Sequence, residues 1–333
     1  MNKNIEVMVN ELTNNSGNES LLGMAEKCLI LSGRRPQGNS LSILNDALVS
    51  SDYPNVLSGT LNRQIAKLHP NSPAAFRSIS DVGTVPNFKS GVVARLTGAG
   101  LYAEVGPGGE IPAMPPIEEG GESFQLKTYG GHVALSREIF MDDDLQGLSD
   151  HAAWQTRTAL RTVNRLVFTK LLENPTLSDG TALFHADRSN LLTGAGSALD
   201  STSLGEAMAA LRSMGDENGS YGLQPAVLAV PPALEVTGAT LIKNIAMAGQ
   251  DRLQLVTEPL LADTSLGGSS GNWYLLPAPA VAPIIRVQTL AGQGLLPVVT
   301  EFLGFVDNTV NLKATLDVSV VPVSHRGIRS AGA

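Results

Sequence analysis

Gly267-Gly268-Ser269-Ser270-Gly271 formally satisfies the G-x-S-x-G spacing of a serine nucleophile. That chemistry needs a strand before the serine and a helix after it, so that the hydroxyl stands on a sharp turn beside an oxyanion hole. Here loop-like sequence precedes the motif and the strand-like Asn272-Trp273-Tyr274 follows, so a glycine–serine turn is the expected structure. Gly98-x-Gly100-x-x-Ala103 resembles a dinucleotide-binding turn, but no helical pattern follows it and Pro107 intervenes. The five histidines, His69, His132, His151, His185 and His325, show no metal-ligand spacing and no H-E-x-x-H. His185-Ala186-Asp187 offers the elements of a catalytic pair or a metal half-site, and equally of a loop tied down by its own hydrogen bonds. Asp142-Asp143-Asp144 lacks the spaced oxygens and central glycine of a calcium loop. Arg157, Arg161 and Arg165 form a ladder of period four that suits nucleic acid, acidic groups of a neighbour, or plain solvent. Cys28, the single cysteine, reads as a small buried hydrophobe, which leaves no intrachain disulfide and no cysteine metal site. No phosphate-binding loop of the Walker type occurs. The expectation is no catalytic, cofactor-binding or metal-binding residue, and no enzyme.

The longest element that must position side chains begins after those aspartates. Ala152, Thr156, Leu160, Val163, Val167 and Leu171 recur at spacings of three and four, one stripe of an amphipathic helix. Aspartates at its start and cations toward its end suit the helix dipole, and Pro175 forces Asn174 out of helical geometry. Some 30 residues at roughly 1.5 Å each make a strut near 45 Å long.

Around this strut the composition permits a packed protein. The 333 residues are 43% apolar and 16% charged, which excludes global disorder. The net charge of −8, without a basic block, argues against a protein devoted to gripping nucleic acid. No signal-peptide core stands at the start, and no apolar run is long enough to span a membrane.

Residues 1–18 are polar and read as mobile. Helices are expected over Glu19–Leu31, stopped by Gly33, over Leu41–Val49, and from Asp52 through Leu57, Leu61, Ile65 and Leu68. RRPQGNS (34–40) is a linker by composition. These first ~75 residues have narrow stripes and suggest an arm that docks on something larger. FKSGVVARLTG (88–98) and GESFQLKTYGG (121–131) look extended, and GPGGEIPAMPPIEEGG between them breaks regular structure. Together they predict a long hairpin over 88–129. A lone hairpin is marginally stable in water, so this one must lie on its own domain or on another copy. A strand is expected over His132–Phe140, and mostly loop over 177–203. A helix over Leu204–Met214 follows, capped by Ser201, Thr202 or Ser203. Then come strand Pro225–Val230, a helix from Pro231 to about Ala248, and strands at Leu253–Glu258, Trp273–Leu276 and Ile284–Val287. Val298–Phe305 and Thr309–Val321, with Asp307-Asn308 turning between them, read as a terminal strand pair completing the sheet begun at 130–140.

In this order the features resemble the major capsid proteins of tailed phages, with the Hong Kong 97-type fold. The likeness rests on SDYPNVLSGTLNRQI (51–65), VPNFKSGVVARL (85–96), YGGHVALSREIFMDDDLQGL (129–148), DGTALFHADRSNLLTG (179–194) and PAVLAVPPALE (225–235). It covers about residues 20–327 and is greatest to the capsid part of the prohead protease–capsid fusion family, related to Mu-like major head subunits. The resemblance implies an α+β fold in four parts. Residues 1–87 would be an N-terminal arm with a possible scaffolding segment, and 88–129 an extended loop overlapping the adjacent subunit. Residues 130–176 with 291–327 would form a peripheral domain around the long spine helix, and 177–290 an axial domain. It implies hexamers and pentamers in an icosahedral phage head, made in the bacterial host cytoplasm. The implied partners are a maturation protease, a scaffold, a portal, and double-stranded DNA held without sequence specificity; neither membrane nor cofactor is implied. No protease precedes the arm, so a separate one, or none, would serve it. Some relatives carry a lysine–asparagine cross-link, but no motif at Lys89, Lys127, Asn308 or Asn311 marks one. Two rival readings are an encapsulin-like compartment and a soluble hydrolase using Ser269 or His185.

Overall fold

The computed structural model describes residues 21–39, 42–43, 46–47, 52–97, 104–108, 111, 118–135, 145–216, 219–247, 253–303 and 310–331. In chain order its elements are helices α1 (Leu21–Leu31) and α2 (Asp52–Leu68), strands β1 (Ser80–Val85), β2 (Gly91–Thr97), β3 (Glu118–Phe124) and β4 (Lys127–Leu135), and the 29-residue helix α3 (Leu145–Glu173). There follow β5 (Leu191–Leu192), α4 (Ser201–Ser213), β6 (Gly215–Asp216), β7 (Gly219–Ser220), β8 (Pro225–Val230), α5 (Glu235–Met247) and β9 (Gln254–Thr257). The chain ends in β10 (Trp273–Pro277), β11 (Ile285–Leu290), β12 (Val298–Leu303), β13 (Val310–Pro322) and β14 (Ile328–Ser330).

The stripe on α3 is buried as its spacing requires: Ala152, Thr156, Leu160, Val163, Val167 and Leu171 are each under 5% exposed. Asn174 takes a left-handed φ of 47° and ends the helix just before Pro175. The aspartates 142–144 lie outside the described residues. So do Gly98, Gly100 and Ala103, the Asp307-Asn308 turn, residues 1–18 and most of 40–51.

Two compact units emerge. The first comprises 1–73, 127–162 and 292–318. In it β13 is the middle strand, antiparallel to β4 on one side and to β12 on the other, with Leu312 opposite Val133 and Glu301. The sheet expected between 130–140 and the terminal strands is therefore present. α1 buries Ala25, Cys28 and Leu29, and ends at Gly33 with φ 78°. α2 buries Val56, Leu57, Leu61 and Ile65, but not Leu68, which is 39% exposed. The Asn62 side chain clasps β12 from α2: its Nδ2 donates to the Val299 carbonyl at 3.0 Å and its Oδ1 accepts from the Val299 amide at 2.8 Å.

The second unit comprises 74–126, 163–291 and 319–333. Its largest sheet has the order β5-β14-β10-β8-β9. Leu228, Val230, Trp273, Leu275 and Ile328 on one face pack with Leu204, Ala207 and Leu211 of α4 and with Leu241, Ile242 and Ile245 of α5. β1 runs parallel to β11. β2 and β3 form a separate antiparallel ribbon from Gly91↔Phe124 to Thr97↔Glu118.

Four sequence expectations need correction. The extended stretch expected over 121–131 is two strands, broken at Gln125-Leu126, and its second half pairs with β13 rather than with β2. Apolar–polar alternation marks extended chain but carries no information about which edge it joins. β1 and β14 were not expected at all: SDVGTV and IRS are too short and mixed to show alternation. The strand expected at Ile284–Val287 runs on to Leu290 as β11 and pairs with β1. The α4 cap is Asp200, one residue earlier than expected. Asp200 accepts from the Ser203 amide at 2.7 Å while the Ser203 hydroxyl accepts from the Asp200 amide, a reciprocal box. Hydrogen bonding from Ser203 holds the Asp200 carboxyl below its usual range.

Candidate functional site

The residues that could do chemistry are each tied into local structure. Ser269 follows a short 3-10 turn at Thr264–Leu266 and precedes β10, so the strand–turn–helix frame of a nucleophile is absent there. Gly267 ends that turn at φ 81°. A Cβ on Gly268 would lie 2.4 Å from the Leu261 carbonyl oxygen and 2.9 Å from that of Asp263. The Ser269 amide donates to Leu261, and its hydroxyl accepts from the Gly271 amide. This is the glycine–serine turn read from the sequence.

His185 and Asp187 meet at 3.3 Å but stand in solvent, at 45% and 83% side-chain exposure. His185 Nδ1 also accepts from the Asp187 amide, which caps the short turn Ala186–Arg188. Asn190, fully buried, fastens this loop: its Oδ1 accepts from the His185 amide, and its Nδ2 donates to the Leu183 and His325 carbonyls. His151 lies against Trp154, with ring centroids 5.7 Å apart, and 3.3 Å from the Gln155 amide nitrogen. Burial lowers its pKa below the ordinary 6.5. Among the described residues no group of three or more His, Cys, Asp or Glu side chains is disposed to hold a metal ion. Cys28 is buried.

Arg157, Arg161 and Arg165 are exposed along α3. One turn before them stands Trp154, 47% exposed. Beside Trp154, in the first unit, a groove of about 310 Å³ opens between α3, β4 and β13; Tyr129, His132, Gln155, Thr158 and Pro297 line it. In the second unit a groove of about 390 Å³ lies between α4 and α5, lined by Leu204, Met208, Leu241 and Ile245.

The β2–β3 ribbon is held at its base. Val93 and Phe124 pack with Val321 and Val323, and the buried Glu122 carboxylate accepts from the Ser178 amide at 2.6 Å. Its other face and the loop that follows β2 present apolar groups to solvent: Val92 is 66% exposed, Val105 41% and Ile111 81%.

Several positioning residues escaped sequence reading: Asn62, Asn190, Glu122, and Asn164 of α3. Asn164 accepts from the Phe76 amide at 3.1 Å and donates to the Glu258 carboxylate at 2.8 Å. The signal available was a polar residue on or beside an apolar stripe, as Asn164 stands between Val163 and Val167.

Comparison with known proteins gives these features a context. A family model described as phage capsid protein matches residues 120–331, more than half of the chain. Curated protein sequences give no match. Among solved structures the chain is similar to a phage-related protein from Bordetella bronchiseptica RB50, at 14% identity and TM-score 0.53, covering 81% of this chain and 95% of that one. It is also similar to the capsid of cyanophage P-SCSP1u, at 11% identity and TM-score 0.51, covering 78% and 89%. At such identities the likeness is one of fold, and the mixed α+β architecture is that of Hong Kong 97-type capsids. With most of its second unit inside the matched region, the chain belongs to the phage capsid protein family and is a structural, shell-forming protein of the virion head.

Proposed function

We propose that this protein is the major capsid subunit, and that it assembles into pentamers and hexamers tiling an icosahedral head around double-stranded DNA. The observation that carries this reading is the β2–β3 ribbon. Two strands cannot bury both of their faces. Among the described residues this pair has one small apolar anchorage at its base, while Val92 on its other face and Val105 and Ile111 in the loop stand in solvent. Cover from a neighbouring copy would remove that apolar surface from water.

In this reading residues 88–129 overlap the adjacent subunit and residues 1–87 serve as an arm. Residues 130–176 with 291–327 form the peripheral domain around α3, and 177–290 the axial domain about the five-fold and six-fold axes. A maturation protease, a scaffold and a portal would act with the shell, and DNA would be enclosed without sequence preference. Subunits would be made in the host cytoplasm. Kinship with the capsid part of the protease–capsid fusion family belongs to the same proposal. No residue is assigned a catalytic, cofactor or metal role. Stability would come from many weak contacts repeated over the shell, and the net charge of −8 suits a wall that does not stick to its genome. Negative-stain microscopy of the purified protein tests the reading. Shells or tubes tens of nanometres across are expected; a monodisperse monomer would overturn it.

A further inference from the structure

The middle of α3 is a basic stretch in an acidic chain. Residues 151–172 carry Arg157, Arg161, Arg165 and Lys170 and no aspartate or glutamate, whereas the whole chain has 31 acidic and 23 basic residues. Lys170 is paired with Glu173, and Arg165 has Asp263 within electrostatic reach. Arg188 and Arg286 likewise find Asp179 and Asp81. Arg157 and Arg161 are exposed, and among the described residues neither has a salt bridge. Arg157 Nε donates to the Ala153 carbonyl of its own helix, at 3.3 Å. Four residues apart, the two arginines share one face, about 6 Å from each other along the axis. Like charges at that spacing disfavour a helix. The fold makes no use of these two charges, yet holds them in a row.

The surroundings select the partner. Thr158, between the two arginines in sequence, also faces solvent. Trp154, one turn before Arg157, marks the end of the face, where its ring lies against His151. What lies beyond Trp154 is polar and cationic, whereas the centre of a protein–protein contact is apolar and depleted of charge. Arginine and threonine are side chains that hold phosphate oxygens, and a guanidinium can grip a phosphate group with two parallel hydrogen bonds. A DNA duplex presents a charge about every 1.7 Å of its axis, so both arginines can be met at once in any sequence and register. We propose that the Arg157–Arg161 face of α3 binds the phosphate backbone of double-stranded DNA. This rests on the shell reading and names the surface that meets the genome within it; in the assembled head that face looks inward. Contact is confined to one stripe per subunit, and the acidic remainder of the chain keeps DNA from adhering broadly. An acidic patch on another protein is the rival occupant, and it would need two carboxylates at matching separation.

The experiment titrates a labelled, mixed-sequence DNA duplex with the full-length protein across a range of salt, the protein held dilute enough that sedimentation shows no particles. Anisotropy of the duplex reads binding. There are two tryptophans, and Trp273 is wholly buried, so a change in tryptophan emission reports DNA beside Trp154. Each arginine on a phosphate releases about 0.9 counterion. R157Q/R161Q should therefore lower the slope of log affinity against log salt by about 2. Between about 50 and 200 mM salt the wild type should lose roughly tenfold more affinity than this variant. R157K/R161K, which keeps both charges, should retain the slope. Both variants leave the buried stripe of α3 untouched. The proposal is overturned if the wild type does not bind the duplex, if R157Q/R161Q binds it with unchanged affinity and slope, or if R157K/R161K behaves as R157Q/R161Q does. It is also overturned if R157Q/R161Q keeps its DNA binding but forms no particles where the wild type does, which would assign the face to an acidic surface of another protein. Should the wild type form no particles at any concentration, the shell reading fails by itself, and the slope comparison still decides the arginine contact.

Discussion

Gly268 is glycine because two carbonyl oxygens occupy the place of a side chain, those of Leu261 and Asp263. Gly268 is the free position of the G-x-S-x-G pattern; the pattern's first glycine, Gly267, takes a left-handed φ of 81° and the amide of its last, Gly271, donates to the Ser269 hydroxyl, so turn geometry accounts for the pattern and its serine needs no chemical cause. Gly268→Ala should cost about 1–3 kcal/mol in urea unfolding, as overpacking does, whereas Ser269→Ala should leave assembly intact. His151 makes a pH prediction. Burial lowers its folded-state pKa below 6.5, so the unfolded chain takes the proton more readily. Stability should be unaffected by this group above the unfolded value and should fall as pH drops below it, until the folded form also protonates. Melting temperatures across that interval should show a shallower slope for His151→Gln than for the wild type. Asn62 and Asn190 illustrate a second use of polar side chains. One amide supplies both a donor and an acceptor, and so satisfies backbone groups that no strand or helix reaches.

At the scale of elements, α3 and the β2–β3 ribbon contrast. α3 combines a completely buried stripe with an arginine-bearing outer face, so its position is strongly determined by core packing. Among the described residues the ribbon is anchored by Val93 and Phe124 and by a charge-assisted hydrogen bond from Ser178 to Glu122. Glu122→Ala should lower stability by roughly 1–3 kcal/mol, and Glu122→Gln, which keeps an acceptor oxygen, should recover most of it; chemical denaturation measures both. Hydrogen exchange in β2 and β3 should rise in Glu122→Ala more than in β8 or β10, which lie inside a five-stranded sheet.

For the whole molecule, family membership makes the chain a component of a shell, and exposed apolar groups on the ribbon ask for a neighbour. Particles should therefore form from the purified chain, and light scattering together with microscopy would register them. Salt should weaken their assembly to the extent that exposed charges on neighbouring copies attract, because such charges are screened within about 10 Å at 0.1 M.

How much of this was legible beforehand follows from the range of each interaction. The span of α3, the β8 run, the ends at Gly33 and Pro175 and the turn at Gly267–Gly271 rest on local sterics and periodicity, which residues a few positions apart determine among themselves. Even the order of elements sufficed for a family resemblance. The pairing of β4 with β13, of β1 with β11, and of β14 with β10 and β5 joins residues far apart in the chain. A strand's own residues specify that it is extended, but its partner is chosen by whichever edge burial leaves free. For the same reason Glu122 and Asn190 looked like ordinary polar positions until Ser178 and His325 were brought beside them. The sequence by itself determined α3, β8, the turns and a resemblance to phage capsid proteins; only tertiary structure decided the short strands and the strand partners, because hydrogen-bonding capacity is identical along every backbone and only packing distinguishes one edge from another.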